Sequence, residues 1–213
     1  GLSPDVGGLY LLSRAPGLLG THAALTGARL GPADAIAAGL ADHFVPRDRL
    51  PALVSRLPEG AAALPVVRES AQPPPDPGRW PADREWIDAC YAAARAVDIL
   101  RCLRSRPEPA AQQAARTLAA MSPTAVAVTL RAIRNAAAMT LAQVLDQDLL
   151  VSAHFLHHPD FAEGIRARII DKDRSPRWRP ASLEEVGEAA VQSFFAPIDG
   201  LPGLASGDAP VAR

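Results

Sequence analysis

The stretch Gly1-Leu2-Ser3-Pro4-Asp5-Val6-Gly7-Gly8 stands just ahead of an apolar run, and it predicts a tight turn that leads into a helix. Its two adjacent glycines let a ligand approach the backbone closely, and the carboxylate of Asp5 stands at the mouth of the turn. No Met, strand or hydrophobic lead-in precedes the stretch. We therefore expect that the structure which delivers the chain to this turn, with part of the chemistry, lies outside this sequence.

Most of the remaining sequence predicts helices. Two short helices, broken near Pro16-Gly17, are expected over residues 9–27, and a third over residues 31–39. Residues 40–45 are the one good candidate for a strand, with imperfect apolar alternation, and residues 48–57 predict a surface helix.

A proline-rich segment divides the chain. Residues 71–81 contain five prolines, which exclude a helix or an inner strand, so they predict a linker. Residues 1–70 then precede the linker, residues 82–195 form a helical region, and residues 196–213, rich in Pro, Gly and Ala, are expected to be disordered.

Helix starts are predicted throughout the helical region. Helices are expected over residues 83–96, 96–106 and 108–120, and Ser122 followed by Pro123 predicts the start of another. One face of that helix is expected to carry Val126, Leu130, Ile133 and Ala137. Three capping boxes predict further starts, at Thr140 with Gln143, Asp160 with Glu163, and Ser182 with Glu185.

Composition excludes several classes of function. The formal net charge is −1 and no basic run is interleaved with aromatic residues, so nucleic acid is not an expected partner. No stretch has the length of a membrane span or the pattern of a signal peptide, so we expect a soluble cytoplasmic protein that does not bind membranes. Cys90 and Cys102 lie in helix-like sequence with no Cys-x-x-Cys or histidine-ligand spacing nearby, so they are expected to be reduced thiols rather than a disulfide or a zinc site.

The one histidine cluster does not predict a metal site. His154 and His158 have the i,i+4 spacing of a zinc-binding helix, but no Glu lies between them and Pro159 follows directly. We interpret the cluster, which includes His157, as a solvated helix end.

Two segments at opposite ends of the chain resemble the crotonase (enoyl-CoA hydratase/isomerase) superfamily, and more narrowly its 3-hydroxyisobutyryl-CoA hydrolase branch. They are Pro4-Asp5-Val6-Gly7-Gly8 and Ile169-Ile170-Asp171-Lys172-Asp173-Arg174-Ser175-Pro176-Arg177-Trp178. Leu25-Thr26-Gly27 and Ala38-Gly39-Leu40 match segments shared by the whole superfamily. The two terminal segments are far more particular to the hydrolase branch.

The resemblance implies a truncated α/β crotonase-like (ClpP/crotonase) fold, built from stacked β-β-α turns. Residues 1–70 would be the C-terminal end of its core, and the chain itself would be mostly α-helical with one or a few short strands. The helical part serves oligomer contacts or closes over the active site in that family, so a homo-oligomer is expected.

The implied reaction is hydrolysis of a short β-hydroxyacyl-CoA thioester in valine breakdown, with no cofactor because coenzyme A is part of the substrate. In that family a Pro-Glu-Thr motif precedes the Gly-Leu with which this chain begins, and its Glu is the principal catalytic carboxylate. The amides of the oxyanion hole also lie upstream. The resemblance therefore implies a C-terminal portion that is inactive by itself.

Asp5 is the one catalytic residue that the resemblance carries over. Two carboxylates near one acyl group separate in pKa, so one can attack or activate water while the other holds the 3-hydroxyl of the substrate or moves a proton. Hydratases of the superfamily usually have Gly here, so Asp5 favours a hydrolase. The structural alternative is that Asp5 caps the following helix, and both roles can coexist.

Other residues are candidates for binding. Gly7 and Gly8 are expected to contact the substrate, or alternatively to allow tight packing of the turn. Lys172, Arg174 and Arg177 could bind the phosphates of coenzyme A. The alternative for these cations is a solvated surface on which Asp171 and Asp173 pair with them. Among their neighbours, a packing role is expected for Trp178, and capping and ion pairing for Glu163 and Arg166.

Two other functions remain open. One is a different crotonase activity, a hydratase or an isomerase. The other is a non-catalytic helical module that associates with itself or with a partner, since half of such a fold would leave apolar faces exposed.

Overall fold

The computed structural model describes residues 1–57, 62–201 and 203, and most of these residues lie in helices. Among the described residues of the first half of the chain, the α-helices are α1 (Gly8–Leu12), α2 (Leu19–Thr26), α3 (Pro32–Ala37), α4 (Leu50–Ser55), α5 (Ala63–Ser70), α6 (Trp80–Tyr91) and α7 (Ala96–Ser105). The others that the described ranges contain are α8 (Pro109–Ala120), α9 (Pro123–Ala136), α10 (Leu141–Leu156), α11 (Pro159–Ile165) and α12 (Glu188–Ser193). Shorter 3-10 turns span Arg47–Arg49 and Leu183–Glu185, and a π-helical turn spans Arg166–Ile170.

The largest core forms where α2, α6, α7 and α8 pack together. Its fully buried side chains include Ile87, Tyr91, Ile99, Leu103 and Leu118, which recur three or four residues apart on their helices and therefore share one face. Apolar residues from both sides of the predicted linker contribute to this cluster. The predicted division into 1–70, 71–81 and 82–195 remains a prediction.

Helix α9 lies between three clusters of buried residues. Its predicted apolar face is correct at Val126, Leu130 and Ile133, but Ala137 lies beyond the end of the helix and is exposed. Val128 is also fully buried, in a second cluster with Phe155 of α10. The prediction of a single apolar face therefore misses part of the buried surface of α9, because other elements pack on opposite sides of this helix.

Local signals set several helix ends as predicted. The hydroxyl of Ser122 accepts a hydrogen bond from the Ala125 amide at 3.1 Å and caps α9. Thr140 and Gln143 form a full capping box at the start of α10. Gly27 ends α2 in the left-handed conformation.

Two predicted capping boxes are wrong. His158 is the N-cap of α11, and Asp160 lies inside the helix with its carboxylate completely buried. Ser182 precedes only a 3-10 turn, and its hydroxyl donates to the Glu185 carboxylate at 2.8 Å instead of capping an amide. In each case the side chain bonds a polar partner other than the amide that the sequence pattern assigns to it.

The predicted strand over residues 40–45 is also wrong. The only β pairing in the described ranges is a single antiparallel bridge between Phe44 and Gln72, where the Gln72 amide donates to the Phe44 carbonyl at 2.9 Å. The bridging residue Gln72 is followed by three prolines, which lack amide donors, so the ladder cannot extend in that direction.

The expectation of two reduced thiols is contradicted: Cys90 and Cys102 form a disulfide. Because α6 and α7 pack against each other, the Cα atoms of the two cysteines lie 5.3 Å apart, within bonding range. A spacing of 12 residues alone does not reveal this contact.

The proline-rich segment ends in a defined contact. The amides of Arg79 and Trp80 donate to one carboxylate oxygen of Asp34 at 2.8 and 2.9 Å, and the Trp80 side chain is buried. Helix α6 begins at Trp80, so the last two residues of the predicted linker are helical. Of the predicted disordered tail, residues 202 and 204–213 lie outside the described residues.

Several large apolar side chains are exposed among the described residues, and whether they form the expected unpaired apolar faces stays a prediction. They include Leu11, Val54, Leu156, Ile169 and Ile170, and Val6 is the most exposed of all at 86%. Self-association through them stays a prediction. Among the helices of the described ranges, none is long and apolar enough to cross a membrane.

Candidate active site

Residues Pro4–Gly8, which we call the Asp5 turn, form the tight turn that the sequence predicts. The Gly8 amide donates to the Asp5 carbonyl at 2.9 Å, and the backbone is left-handed at Val6 (φ 51°) and Gly7 (φ 79°). The side chain of Asp5 is exposed. Gly7, not Asp5, is the N-cap residue of α1, so the alternative role of Asp5 as a helix cap is wrong.

A second carboxylate, on α10, binds the backbone of this turn. Asp148, near the middle of α10, accepts a hydrogen bond from the Gly7 amide at 2.8 Å, and its side chain is buried. Burial raises the pKa of Asp148, the Gly7 hydrogen bond lowers it, and the negative charge of Asp5 raises it further. The structure therefore places two carboxylates close enough to interact, one exposed and one buried.

Sequence reasoning did not single out Asp148. The signal was present, because Asp148 continues the buried stripe of α10 that contains Val144, and an acidic residue at such a position needs a polar partner. That partner, the Gly7 amide, lies 141 positions away in sequence. Only the folded chain identifies it.

Contacts on either side fix the Asp5 turn and α1. The Thr129 hydroxyl donates to the hydroxyl of Ser3 at 3.1 Å in the interior. Beyond α1, the Arg14 guanidinium lies over the Tyr10 ring and donates to the Met139 carbonyl at 2.7 Å. The short α1 is thus held at both ends by α9, α10 and the loop between them.

The amides of the two predicted glycines are both engaged within the protein. Gly7 donates to Asp148 and Gly8 donates to the Asp5 carbonyl, so neither amide is free to bind a substrate oxygen. A Cβ atom added to Gly8 would meet nothing within 4 Å, so the space beside it is open. Close approach of a ligand to Gly8 remains a prediction.

The first residues of the chain pack next to the second segment that carries the resemblance. A Cβ atom added to Gly1 would lie 2.1 Å from the Asp160 carbonyl oxygen, so the first residue packs directly on α11. A cavity of about 450 Å³ lies at this junction. Its lining includes Leu2, Phe161, Ile165, Arg174 and Trp178.

Arg166 organises the second segment. Its guanidinium bonds both carboxylate oxygens of Glu163 at 2.8 Å and also contacts Asp171 at 2.6 Å and Asp173 at 2.7 Å. These bonds raise the pKa of Arg166, and its bond with Glu163 is the main reason why the pKa of that carboxyl falls to about 2. The ion-pairing role predicted for Glu163 and Arg166 is confirmed.

The predicted coenzyme A cations lie around this network. Lys172, Arg174 and Arg177 are exposed, and no ion pair within 4.0 Å ties their side chains to a carboxylate in the part of the chain that the structure describes. Asp171 and Asp173, expected to partner these cations, pair with Arg166 instead. The three cations stay candidates for phosphate binding.

Asp160 and Trp178 hold the segment against the helices. The buried Asp160 carboxylate accepts from the Ser122 hydroxyl at 2.5 Å and from the Arg179 amide at 2.8 Å. The Trp178 indole donates to the Ala120 carbonyl at 3.0 Å, which confirms its predicted packing role.

Three of the five histidines have structural partners. His154 bonds the Ala196 carbonyl at 2.9 Å, and His158 accepts from the Asp160 amide. His22, inside the largest core, bonds the Tyr91 hydroxyl at 2.8 Å, and burial lowers its pKa to about 4. Within the described ranges, no three His, Cys, Asp or Glu side chains are grouped to hold a metal ion.

Comparison with known proteins identifies the group to which the chain is similar. The family described as Enoyl-CoA hydratase/isomerase matches residues 1–195. The chain is 37% identical over 207 residues to the mitochondrial 3-hydroxyisobutyryl-CoA hydrolase of Gallus gallus, covering 93% of this chain and 54% of that protein. It thus spans about half the length of the curated relatives it matches.

Solved structures point to the same fold. A carnitinyl-CoA dehydratase from Mycobacterium thermoresistibile superposes with a TM-score of 0.86 at 44% identity, over 93% of this chain and 57% of that one. An enoyl-CoA hydratase from Rhodobacter sphaeroides gives a TM-score of 0.80 at 40% identity, with the same coverage of both chains. The predicted crotonase-like fold, present in part and mostly helical, is confirmed.

Proposed function

Because this chain belongs to the enoyl-CoA hydratase/isomerase family, we propose that it is part of an acyl-CoA thioester hydrolase of the 3-hydroxyisobutyryl-CoA type. The observation that carries this proposal is the exposed Asp5 carboxylate on a turn fixed by Gly7 and Asp148. The hydrolase names of relatives such as the Gallus gallus protein support it.

The reaction adds water to the thioester carbonyl carbon, breaks the carbon–sulfur bond and leaves a carboxylic acid and the coenzyme A thiol. Asp5 would accept a hydrogen bond from the 3-hydroxyl of the substrate or move a proton, for which an exposed carboxylate on a rigid turn is suited. The nucleophile or general base would be a Glu in a part of the protein that precedes this chain. No cofactor is required, because coenzyme A arrives with the substrate.

The exposed cations extend this proposal to the far end of the substrate. Lys172, Arg174 and Arg177 would bind its phosphates, since all three side chains are exposed and Arg174 lines the cavity at the chain junction. We further propose valine breakdown as the pathway, a homo-oligomer as the assembly and the cytoplasm as the location. Relatives such as the Gallus gallus protein are named as mitochondrial.

Release of coenzyme A tests the proposal directly. The complete protein that contains this chain should release the thiol from 3-hydroxyisobutyryl-CoA, measured with a chromogenic thiol reagent. Replacing Asp5 by Asn, which removes the charge but keeps the shape, should lower the rate at least a hundredfold, in the range of a positioned acid–base group. Normal hydrolysis by Asp5→Asn would show that Asp5 has no catalytic role.

An enoyl-CoA hydratase or dehydratase is the second candidate. The two solved structures, a carnitinyl-CoA dehydratase and an enoyl-CoA hydratase, favour it at identities of 44% and 40%. Loss of crotonyl-CoA absorbance measures this activity in the same preparation, and turnover of crotonyl-CoA alone would replace the hydrolase proposal. The chain without the rest of the protein is expected to be inactive as a helical module, and thioesterase activity from it would contradict that.

A further inference from the structure

Burying the carboxylate of Asp148 at its position in α10 costs desolvation free energy. The residue is only 6% exposed, on the buried stripe of α10, and burial raises its pKa. An apolar side chain would avoid the desolvation cost, so the bond to the Gly7 amide must offset that cost. The same carboxylate also feels the negative charge of Asp5, which disfavours two ionised groups here.

The Asp5 turn needs support from outside itself. Val6 has a positive φ of 51°, a conformation that costs a β-branched residue about 1–2 kcal/mol. Helix α1 has only five residues, too few to stabilise its own start. Within the turn, the local hydrogen bond is the one from the Gly8 amide to the Asp5 carbonyl.

Helix α10 supplies that support at one point. Asp148 binds the Gly7 amide at 2.8 Å, and Leu141 closes over Gly7, with its Cδ1 atom 3.1 Å from the position of an added Cβ. Gly7 lies two residues after Asp5, so fixing its amide plane fixes the backbone that carries the Asp5 side chain.

We propose that Asp148 is a positioning residue, whose carboxylate holds the Gly7 amide and thereby aims Asp5 at the substrate. This inference rests on the proposed function, since it assigns Asp5 a role in turnover. Asp148 does not touch the substrate in this proposal. It acts only by accepting the Gly7 hydrogen bond.

Two substitutions separate positioning from stability. Asp148→Ala removes the acceptor and should lower kcat for thiol release at least tenfold, with KM changed less than threefold. Asp148→Asn keeps an acceptor oxygen for Gly7 and should retain kcat within threefold. The matched control is Val151→Ala on the same helix. Val151 is buried in the cluster with Phe155, away from the turn, so its substitution should lower Tm without changing kcat.

A direct readout of the hydrogen bond makes the test independent of activity. Labelling with ¹³C-carbonyl Val and ¹⁵N Gly marks two Val-Gly amides in this chain, those of Gly7 and Gly187. The Gly7 amide should resist hydrogen exchange and shift as Asp148 titrates, whereas the amide of the exposed Gly187 should do neither. Asp148→Asn should abolish the Gly7 titration.

The outcomes discriminate between the two proposals. If the complete protein releases no thiol from any 3-hydroxyacyl-CoA, the proposed function fails. The exchange rate and titration of the Gly7 amide still show whether Asp148 holds the turn. Unchanged kcat in Asp148→Ala, equal damage in Asp148→Asn, or a Gly7 amide that exchanges like Gly187 would each overturn the positioning role. Should Asp148→Ala not fold, the activity of Asp148→Asn and the exchange rate of the Gly7 amide decide between the same outcomes.

Discussion

The buried carboxylate of Asp160 should be a main determinant of stability. It has no exposed surface and accepts two hydrogen bonds, from the Ser122 hydroxyl at 2.5 Å and the Arg179 amide at 2.8 Å. Hydrogen bonds to a charged group contribute about 1.5–3 kcal/mol each. Asp160→Ala removes both hydrogen bonds but also removes the cost of burying the carboxylate. We therefore expect the free energy of unfolding to fall by about 3 kcal/mol, the lower end of the sum of the two bonds.

Urea unfolding followed by far-UV circular dichroism measures this loss, and Asp98→Ala is the matched control. Asp98 also lies in the first turn of a helix, but its ion pair with Arg101 is exposed, so its removal should cost less than about 1 kcal/mol. Equal losses in the two variants would refute the reasoning.

A double-mutant cycle isolates the contact between Asp160 and Ser122. Ser122→Ala removes both the cap of α9 and the bond to Asp160, so it should cost about 3 kcal/mol in the wild type. In the Asp160→Ala background only the cap is left to lose, about 1 kcal/mol. A coupling energy below about 0.5 kcal/mol, the scatter of independent sites, would show that the two side chains act separately.

Three further outcomes are expected. Reducing the Cys90–Cys102 disulfide should lower the free energy of unfolding by about 3 kcal/mol, because the bond restricts the entropy of the loop that it closes in the unfolded chain. Thiol titration of unfolded, unreduced protein should find no free thiol in this chain. Because the pKa of His22 is lowered to about 4 in the fold, wild-type stability should fall as pH drops from about 6.5 to 4, and urea titrations of His22→Gln across that range should show a flatter profile. Gly20→Ala places a Cβ atom 1.7 Å from a backbone oxygen and should cost about 3 kcal/mol in urea unfolding. Gly187→Ala has open space around it and loses only the N-cap preference for Gly at α12, so it should cost about 1 kcal/mol or less.

Local chemistry predicted much of the fold correctly. Ser122 and the Thr140–Gln143 pair cap the helices that they were expected to cap, because a cap depends on residues three positions apart. The same pattern failed at Asp160, whose carboxylate bonds Ser122 and Arg179. Those partners lie 38 and 19 positions away, beyond the reach of a local rule.

Tertiary contacts explain the remaining differences. Residues 40–45 were expected to form a strand, but a strand needs a partner, and the chain offers Phe44 only one bridging residue in the described ranges. The disulfide depends on how α6 packs on α7. At the candidate site, resemblance makes Asp5 a candidate from the sequence, whereas the contact between Asp148 and Gly7 is visible only in the folded chain.

The setting of the three tryptophans gives the protein an intrinsic optical probe. Trp80 and Trp86 are only 6% and 3% exposed, whereas Trp178 is half-buried beside Arg174 and the cavity at the chain junction. A dissolved quencher such as acrylamide would therefore dim the Trp178 emission first. Occupation of that cavity by a ligand should shield this indole, so binding near the Arg166 network can be followed by fluorescence without any label.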